Sequence, residues 1–204
     1  MRYDSFRFIK PPRAEEVIPP NMLSFYESQS WVAQVKMNGA YNVIFCNTGE
    51  KKLIALNREG KPHKAWNWTE ESADAFWTLP KKGWYVFCAE LLHSKGPEIK
   101  DTNYLHDVLV WEGRHLIGYP YKDRWPLLKK AFKKASTQED LHYNIVNQKT
   151  WLAKTFWHAD FRAIYDSLDS PLEEGLVLKN PKVGLDSPIS WQVKCRRKTK
   201  NFEF

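Results

Sequence analysis

Short apolar segments that contain or end in a charged residue recur along the chain between residues 34 and 196. Segments of this length, alternating apolar and polar residues and bounded by turn signals, are typical of β-strands. Because successive side chains of a strand point to opposite faces, charges on several strands can all face one shared groove. The charged residues concerned are Lys36, Arg58, Glu90, Asp107, Glu174, Lys179, Lys194 and Arg196.

The same segments predict the fold class. Many strands, few helices and mostly short turns indicate an α+β fold with antiparallel sheets and flanking helices. The first 30 residues contain four prolines, which favours an extended arm that packs on the body of the domain. Strands are predicted over 31–37, 41–47, 53–56, 84–92, 105–111, 175–179 and 189–195, and helices over 121–135 and 150–168.

Length and composition exclude several protein classes. With 204 residues and 43% hydrophobic residues, the chain suits one domain over 1–204. It has neither an apolar run of membrane-spanning length nor a secretory signal. Three scattered cysteines, Cys46, Cys88 and Cys195, argue against a disulfide framework or a zinc knuckle and are typical of a reduced compartment. The net charge of +7 suits an anionic partner, although it also keeps many basic proteins in solution.

The segment KMNG, at 36–39, places a lysine at a strand end before a tight turn. Glycine in such a turn leaves room for a phosphate to approach the backbone. A lysine beside a glycine turn is usually an ordinary surface residue, so this segment gains weight only from the charged residues that follow it. Several cations and two carboxylates together suit a triphosphate with a divalent cation, because cations bind phosphate oxygens and carboxylates bind the metal.

The order of these segments resembles the motif order of ATP-dependent polynucleotide ligases, in the covalent nucleotidyltransferase superfamily that also contains mRNA capping enzymes. The resemblance covers nearly the whole chain. It implies a ligase-type adenylation domain that uses ATP and Mg²⁺, or Mn²⁺ in its place. The family motifs KxxG, SRxG, E, D, EGxxxK and K are matched by KMNG at 36–39, NREG at 57–60, Glu90, Asp107, EGLVLK at 174–179 and Lys194.

The resemblance implies a role for each matched residue. Lys36 would attack the α-phosphate of ATP, expel pyrophosphate and form a Lys–AMP phosphoramidate. A lysine attacks only as the neutral amine, a form that neighbouring cations favour. Glu90 and Glu174 would lie near the metal, and His106 would stack on adenine where the family usually has an aromatic residue. The residues implied to bind ATP are Gln34, Lys36, Asn38, Gly39, Arg58, Glu90, His106, Lys179, Lys194 and Arg196.

Basic residues are also candidates for contacts with a nicked double-stranded nucleic acid. In the helix predicted over 121–135, most lysines lie opposite the apolar face, which fits either a phosphate-binding patch or a solvated surface. The basic run at 194–200 continues past the motif residues and has the same two interpretations. The candidates are Arg58, Lys129, Lys133, Arg197, Lys198 and Lys200.

Several positions depart from the family motifs. KxDGxR is KMNGAY here, with Asn38 for the acid and Tyr41 for the arginine. Many RNA ligases keep only KxxG at this place, whereas the NREG segment resembles the DNA-ligase motif. We therefore expect nicked DNA as the substrate, with RNA or an RNA/DNA hybrid as the alternative. The last motif, WxKxK, is WQVKCR here, and we align it on Lys194 because Lys194 and Arg196 share a strand face.

Few residues follow the last predicted strand, so we expect no OB-fold domain and a duplex held by the catalytic domain alone. We expect a monomer without an obligate protein partner, in the cytoplasm, or in the host cytoplasm if the chain is viral or phage-like. A role in DNA repair or replication rests on analogy. Two alternatives are a GTP-using capping-type guanylyltransferase and an inactive nucleic-acid-binding module. Asp107 is either catalytic or the partner of a lysine.

Overall fold

The structure is a computed structural model, and it describes residues 17–80, 83–92, 99–138 and 141–198. A 3₁₀ turn at Pro20–Met22 precedes four helices, α1 (Leu23–Ser28), α2 (Glu70–Trp77), α3 (Tyr121–Ala131) and α4 (Phe161–Ser167). The strands are β1 (Val32–Met37), β2 (Ala40–Asn47), β3 (Lys52–Leu56), β4 (Trp84–Leu92), β5 (Thr102–Trp111), β6 (Arg114–His115), β7 (Ser136–Thr137), β8 (Tyr143–Asn147), β9 (Thr150–Ala153), β10 (Glu173–Lys179) and β11 (Gln192–Arg196).

The strands form two sheets, which confirms the predicted α+β class. A three-stranded sheet has the order β1-β10-β11, and all its pairs are antiparallel. A larger sheet has the order β3-β2-β4-β5-β9-β8-β7, with β6 paired to β5. Its one parallel pair joins β5 and β9, so the sheet is mixed where the sequence predicted antiparallel pairing throughout.

The two largest apolar clusters of the described residues lie between the sheets and the helices. One face of the larger sheet packs against α2 and α3, around Phe76, Phe87 and Trp125. One face of the smaller sheet packs against α1 and α4, around Leu23, Phe161 and Leu176. The opposite face of the smaller sheet is thereby left to carry polar side chains.

The register of the smaller sheet aligns charged residues on that free face. Lys36 pairs with Gly175, which pairs with Arg196 on the other side. Two residues along each strand, Gln34 is opposite Val177, and Val177 is opposite Lys194. Residues opposite each other in an antiparallel sheet share a face, so these side chains all point the same way.

The helix predicted over 150–168 is wrong in its first half. Thr150–Ala153 is the buried strand β9, which lies between β5 and β8. The helix α4 begins only after Asp160, whose side chain accepts a hydrogen bond from the Ala163 N–H at 2.8 Å. A short apolar run that is buried on both faces has no alternation to distinguish it from a helix.

Other predicted elements need smaller corrections. Predicted strands coincide with β1 to β5 and β10 within a few residues, whereas the last strand begins at Gln192 rather than Ile189. The helix predicted to end at Ala135 ends at Ala131, and α2 and β8 were not predicted. Residues 1–16 of the predicted arm lie outside the described residues, and the rest of it contains the 3₁₀ turn and α1 rather than extended chain alone. No helix in the described part of the chain is both long and apolar enough to cross a membrane.

Candidate active site

A cavity of about 620 Å³ lies between the free face of the smaller sheet and strands β2, β4 and β5 of the larger one. It brings together nine of the ten residues that sequence analysis assigned to ATP binding. Asn38 does not line the cavity, although its carboxamide oxygen is buried and has no hydrogen-bond partner among the described residues. The nine are Gln34, Lys36, Gly39, Arg58, Glu90, His106, Lys179, Lys194 and Arg196, and the predicted metal residue Glu174 lines the cavity as well.

Lys36 forms an ion pair with Glu174 inside the cavity. The Lys36 Nζ donates to Glu174 Oε2, and the Arg196 guanidinium lies 3.4 Å from the same oxygen. The Glu174 carboxylate is nearly buried, so two cations compensate its charge where water cannot. A lysine attacks only as the neutral amine, so a nucleophilic role of Lys36 requires that its proton be accepted by another group, and Glu174 is in contact with it.

A β-bulge directs Glu174 towards Lys36. The register between β1 and β10 shifts so that Lys36 is opposite Gly175 while Met37 is opposite Glu173, which leaves Glu174 as the extra residue. Gly175 has a φ of +130°, and a Cβ there would lie 2.0 Å from the Cys195 carbonyl oxygen. In a regular strand, residues 174 and 175 would point to opposite faces of the sheet. The bulge therefore explains how the Glu174 side chain reaches Lys36.

Glu90 is the second carboxylate of the cavity and lies beside the KMNG turn. Burial raises the pKa of Glu90 to about 7, and the negative charge of Glu174 acts in the same direction. The charges of Lys36 and Arg58 and a hydrogen bond from the Gly39 N–H oppose this shift. Gly39 is needed for close packing here, because a Cβ would lie 2.7 Å from Glu90 Cγ and 2.6 Å from the Leu91 carbonyl oxygen.

Glu90 and Glu174 form a donor set that fits a magnesium ion. Mg²⁺ usually binds to proteins through one or two carboxylates, with phosphate oxygens and waters completing its coordination. Both carboxylates line the cavity, and their mutual repulsion contributes to the raised pKa of Glu90. The described residues contain no group of three or more histidine, cysteine or acidic side chains that could hold a metal ion. Phosphate oxygens and waters would therefore have to complete the coordination.

At its inner end the cavity is bounded by a buried charge cluster. Arg124 of α3 donates from Nε and Nη2 to the two oxygens of Asp107, both at 2.9 Å. Lys179 lies 3.6 Å from the same carboxylate and donates to the His106 carbonyl oxygen at 2.9 Å. Asp107 therefore pairs with both an arginine and a lysine. Sequence analysis gave two alternatives for this residue, a catalytic role and an ion pair with a lysine, and the structure contains the ion pair.

The cluster sets the charge states around it. Although burial raises the pKa of Asp107, Arg124 and Lys179 hold it well below the usual range. Burial, together with the charge of Arg124, lowers the pKa of Lys179 to about 8. Burial and the charge of Lys179 lower the pKa of His106 to about 3, so its imidazole is neutral at physiological pH. A neutral imidazole can stack on a base as other aromatic side chains do.

Gln34 is fixed in a buried hydrogen-bond network at the same end. Its Nε2 donates to the Tyr121 hydroxyl at 2.9 Å and to Thr155 Oγ1 at 3.0 Å, and these two hydroxyl groups lie 2.8 Å apart. The same nitrogen also lies 3.4 Å from the His106 carbonyl oxygen. Because all three partners are protein groups, the position of the Gln34 side chain is determined before any ligand binds. Tyr121 and Thr155 were not predicted to take part.

Two further cations lie towards the outer part of the cavity. Lys194 is half-buried, and burial, with the charges of Lys36, Arg58 and Arg196, lowers its pKa. Arg58 is exposed on the turn after β3, and its guanidinium carbon lies 5.6 Å from the centroid of the Tyr41 ring. Tyr41 lines the cavity too, at the position where the family motif has an arginine.

The other predicted nucleic-acid contacts lie outside the cavity. Lys129 and Lys133 are exposed near the end of α3, and Lys198 is exposed after β11. Arg197 is half-buried, and its backbone N–H donates to the Glu174 carbonyl oxygen at 2.8 Å. Lys200 lies outside the described residues.

Sequence analysis missed Arg124 as a part of the site. It was not distinguished from the other basic residues of the helix predicted over 121–135, yet it is 2% exposed. Its position relative to Tyr121 and Leu128, at helical spacings of three and four residues, places it on the apolar face of α3. A basic residue on an apolar face is a signal that could have identified it.

No family model and no curated protein sequence matches the chain. The structure is similar to the ligase domain of LigD from M. tuberculosis, with a TM-score of 0.55, 16% identity, and coverage of 83% of this chain and 54% of that one. It is also similar to a mycobacterial DNA ligase D complexed with ATP and MES (TM-score 0.54, 16% identity, 83% and 55% coverage). A Lig E DNA ligase gives a TM-score of 0.51 at 11% identity, with 82% and 62% coverage.

The chain spans between about half and three fifths of the length of these ligases. The similarity extends over more than four fifths of this chain. At such low identity the likeness concerns the fold and not the individual residues. The chain has the nucleotidyltransferase-domain fold of the ATP-dependent polynucleotide ligases.

Proposed function

We propose that the chain is an ATP-dependent polynucleotide ligase that works through a covalent Lys36–AMP intermediate. A single observation carries the proposal: on a ligase fold, Lys36 shares one cavity with two carboxylates and two half-buried cations. A fold by itself hosts many functions, so the proposal depends on this set of side chains. The side chains are Lys36, Glu90, Glu174, Lys194 and Arg196.

In the first step the Lys36 Nζ attacks the α-phosphorus of ATP. A nitrogen–phosphorus bond forms while the bond to the bridging oxygen breaks, and pyrophosphate leaves with that oxygen. The proton of Lys36 must leave, and Glu174 is the acceptor in direct contact with it. Lys194 and Arg196, on the same sheet face, are suited to bind the phosphate oxygens as charge develops on them.

Glu90 and Glu174 would hold the magnesium ion that this chemistry requires. The ion would neutralise charge on the phosphate oxygens of ATP. Since Glu174 also contacts Lys36, loss of its proton-accepting role and loss of metal binding would coincide in a Glu174 variant.

Two transfers would complete the reaction. The AMP group passes from Lys36 to the 5′-phosphate of a nicked strand, which regenerates the lysine amine. The adjacent 3′-hydroxyl oxygen then attacks that 5′-phosphorus, a phosphodiester bond forms, and AMP leaves.

The preferred substrate is a nick in double-stranded DNA. Two of the similar structures are DNA ligases by name, and the NREG turn resembles the DNA-ligase motif. Asn38 and Tyr41, in place of the acid and arginine, favour the alternative of an RNA-containing nick.

A sealing assay tests both parts of the proposal. The wild-type chain, with ATP and Mg²⁺, should join nicked duplexes that have DNA or RNA on either side of the nick, and should join all-DNA nicks fastest. Lys36→Arg should abolish joining because it keeps the positive charge opposite Glu174 but cannot form a stable adduct. Lys52→Ala, a change at an exposed lysine of β3, is the matched control and should join normally.

Joining by the Lys36→Arg variant would refute the covalent intermediate. A strict need for RNA on the 3′-hydroxyl side would reverse the choice of substrate. More efficient use of GTP than ATP would support the capping-type alternative, and binding of the duplex without any joining would support the inactive module.

A further inference from the structure

Arg58 and Tyr41 form a pair at the outer part of the cavity that the reaction described above does not use. The guanidinium carbon of Arg58 lies 5.6 Å from the centroid of the Tyr41 ring. A guanidinium at this distance from an aromatic ring is attracted by the negative charge of the ring face. The ring therefore restrains a long side chain that would otherwise be free to move in solvent.

The Tyr41 ring is itself held in place. Tyr41 is half-buried on β2, where it pairs with Glu90 of β4, and its hydroxyl lies 3.5 Å from the Cys88 Sγ. Val43 and Cys88, on the same side of the larger sheet, belong to the apolar cluster against which the ring packs. The support for Arg58 is thus part of the sheet and not a loop.

The backbone of Arg58 is fixed as well. Asn57 Oδ1 accepts hydrogen bonds from the Glu59 N–H at 2.9 Å and from the Lys61 N–H at 3.0 Å. The Asn57 N–H donates to the Lys61 carbonyl oxygen at 2.8 Å, which closes the turn. The backbone of Arg58 is therefore part of a hydrogen-bonded turn, and its guanidinium lies against the Tyr41 ring.

The position of Arg58 suits a ligand that arrives from solvent. Lys179 is buried and Lys36, Lys194 and Arg196 are half-buried, whereas Arg58 is exposed although it lines the same cavity. The positive charge of Arg58 also acts on residues inside the cavity, because it helps to lower the pKa of Lys194. The inner cations can therefore reach a triphosphate inside the cavity, whereas Arg58 can reach a phosphate that stays at its solvent side.

We propose that Tyr41 is a positioning residue, whose ring holds the Arg58 guanidinium at the mouth of the cavity to receive a phosphate of the nicked nucleic acid. The proposal rests on the ligase function proposed above. Glu59 is the acidic residue at the same mouth, and its carboxylate lies 3.5 Å from the Lys61 Nζ, so part of its charge is compensated there.

The test separates the ATP step from the nucleic-acid steps. The full-length wild type and the variants Tyr41→Leu, Tyr41→Phe, Arg58→Gln and the Leu/Gln double variant are compared, after circular dichroism confirms that each is folded. One assay measures the rate of adenylylation without nucleic acid. The other measures joining by pre-adenylylated enzyme as a function of the concentration of nicked duplex.

Tyr41→Leu should raise the KM for the nick about two- to fivefold, in keeping with the usual strength of a cation–aromatic contact at an exposed site. This loss should be larger than any loss in the rate of adenylylation. Tyr41→Phe keeps the ring and should restore a KM close to that of the wild type. The double variant should be no weaker than Arg58→Gln alone, because both changes remove the same contact.

Three results would overturn the proposal. Multiplicative effects in the double variant would show that Tyr41 and Arg58 act independently. An equal loss of adenylylation and joining in Tyr41→Leu would place Tyr41 at the nucleotide. A Tyr41→Phe variant as weak as Tyr41→Leu would show that the hydroxyl and not the ring is required.

Failure of the ligase function would be recognised separately, as a wild-type chain that forms no adduct with ATP. The positioning role is then tested by equilibrium binding of a fluorescent nicked duplex. Tyr41→Leu should weaken binding as much as Arg58→Gln does, and unchanged binding would refute the role.

Discussion

Glu90 is the residue at which the effect of the cavity on a charged group is clearest. Burial raises its pKa to about 7, so near neutral pH the folded chain holds a carboxyl group only partly ionised. Lys36 and Arg58 stabilise the carboxylate but do not offset the loss of hydration. A raised carboxyl pKa in a cavity is typical of a functional site, because active sites use burial and neighbouring like charges to shift pKa values.

The Glu90→Gln variant should gain stability relative to the wild type as the pH rises. The difference in free energy of unfolding between the two proteins should favour the variant more at pH 8 than at pH 5. The folded-state pKa of about 7 lies above the ordinary value of 4.5, so the contribution of Glu90 to stability is fully present below pH 4.5 and is lost as pH rises through 7. The free-energy advantage of Glu90→Gln should therefore grow by about 2–3 kcal/mol between pH 5 and pH 8.

Urea unfolding of both proteins at the two pH values measures this difference. Glu50→Gln, a change at an exposed residue of the β2–β3 turn, is the control and should show no such dependence. An advantage of equal size at pH 5 and pH 8 would contradict the account of Glu90.

At the residue scale, sequence analysis identified the residues with distinctive spacing and missed their supports. Lys36, Glu174 and Lys194 fall in motifs that can be found by inspection. Tyr121 and Thr155 are 87 and 121 residues from Gln34 in the sequence, and only the fold brings their hydroxyl groups to its amide. Hydroxyl groups in ordinary surroundings carry no local signal of such a contact.

Among the elements, the bulge of β10 has the largest consequence for the site. It inserts Glu174 between two regular pairs, and it depends on a backbone conformation at Gly175 that L-amino acids rarely adopt. Arg196, opposite Gly175, approaches the same carboxylate from the neighbouring strand. The ion pairs of Lys36 and Arg196 thus depend on the backbone geometry of one strand.

Substitution of Gly175 by alanine should destabilise the fold by about 3 kcal/mol or more, through steric overlap in addition to backbone strain. The new Cβ would lie 2.0 Å from the Cys195 carbonyl oxygen, which would force β10 and β11 apart. Gly113→Ala is the matched control, because Gly113 also has positive φ (+83°) but no atom lies within 4 Å of the added Cβ.

Urea unfolding should show that Gly113→Ala costs only about 1 kcal/mol, from its backbone conformation alone. If the two variants were equally stable, the tight approach of β11 to Gly175 would not be a constraint on the fold.

Element prediction succeeded where the local pattern is clear and failed where tertiary contacts decide. Strand β1, which alternates, and strand β4, a nearly continuous apolar run that begins with aromatic and β-branched residues, were found within a residue of their limits. The segment at 150–153 was assigned to a helix because its sequence, TWLA, has no alternation, and its strand conformation follows from pairing with β5 and β8 on both sides. The sequence of β9 alone does not contain that information.

On the scale of the whole molecule, the cavity exists because two sheets face each other. The smaller sheet supplies Lys36, Glu174 and Lys194, and strands of the larger one supply Glu90 and His106. The motif order predicted this grouping, since residues from 34 to 196 must converge for the motifs to act together. The number of sheets and the parallel pairing of β5 with β9 could not be predicted from motif order.

The measurement that tests the central claim most directly is mass spectrometry of the intact chain after incubation with ATP and Mg²⁺, followed by peptide mapping. The account predicts a mass increase of one adenylyl group that is labile in acid, mapped to Lys36 and absent from Lys36→Ala. An unmodified mass, in protein shown to be folded and free of bound AMP beforehand, would contradict it, as would an adduct on any other residue.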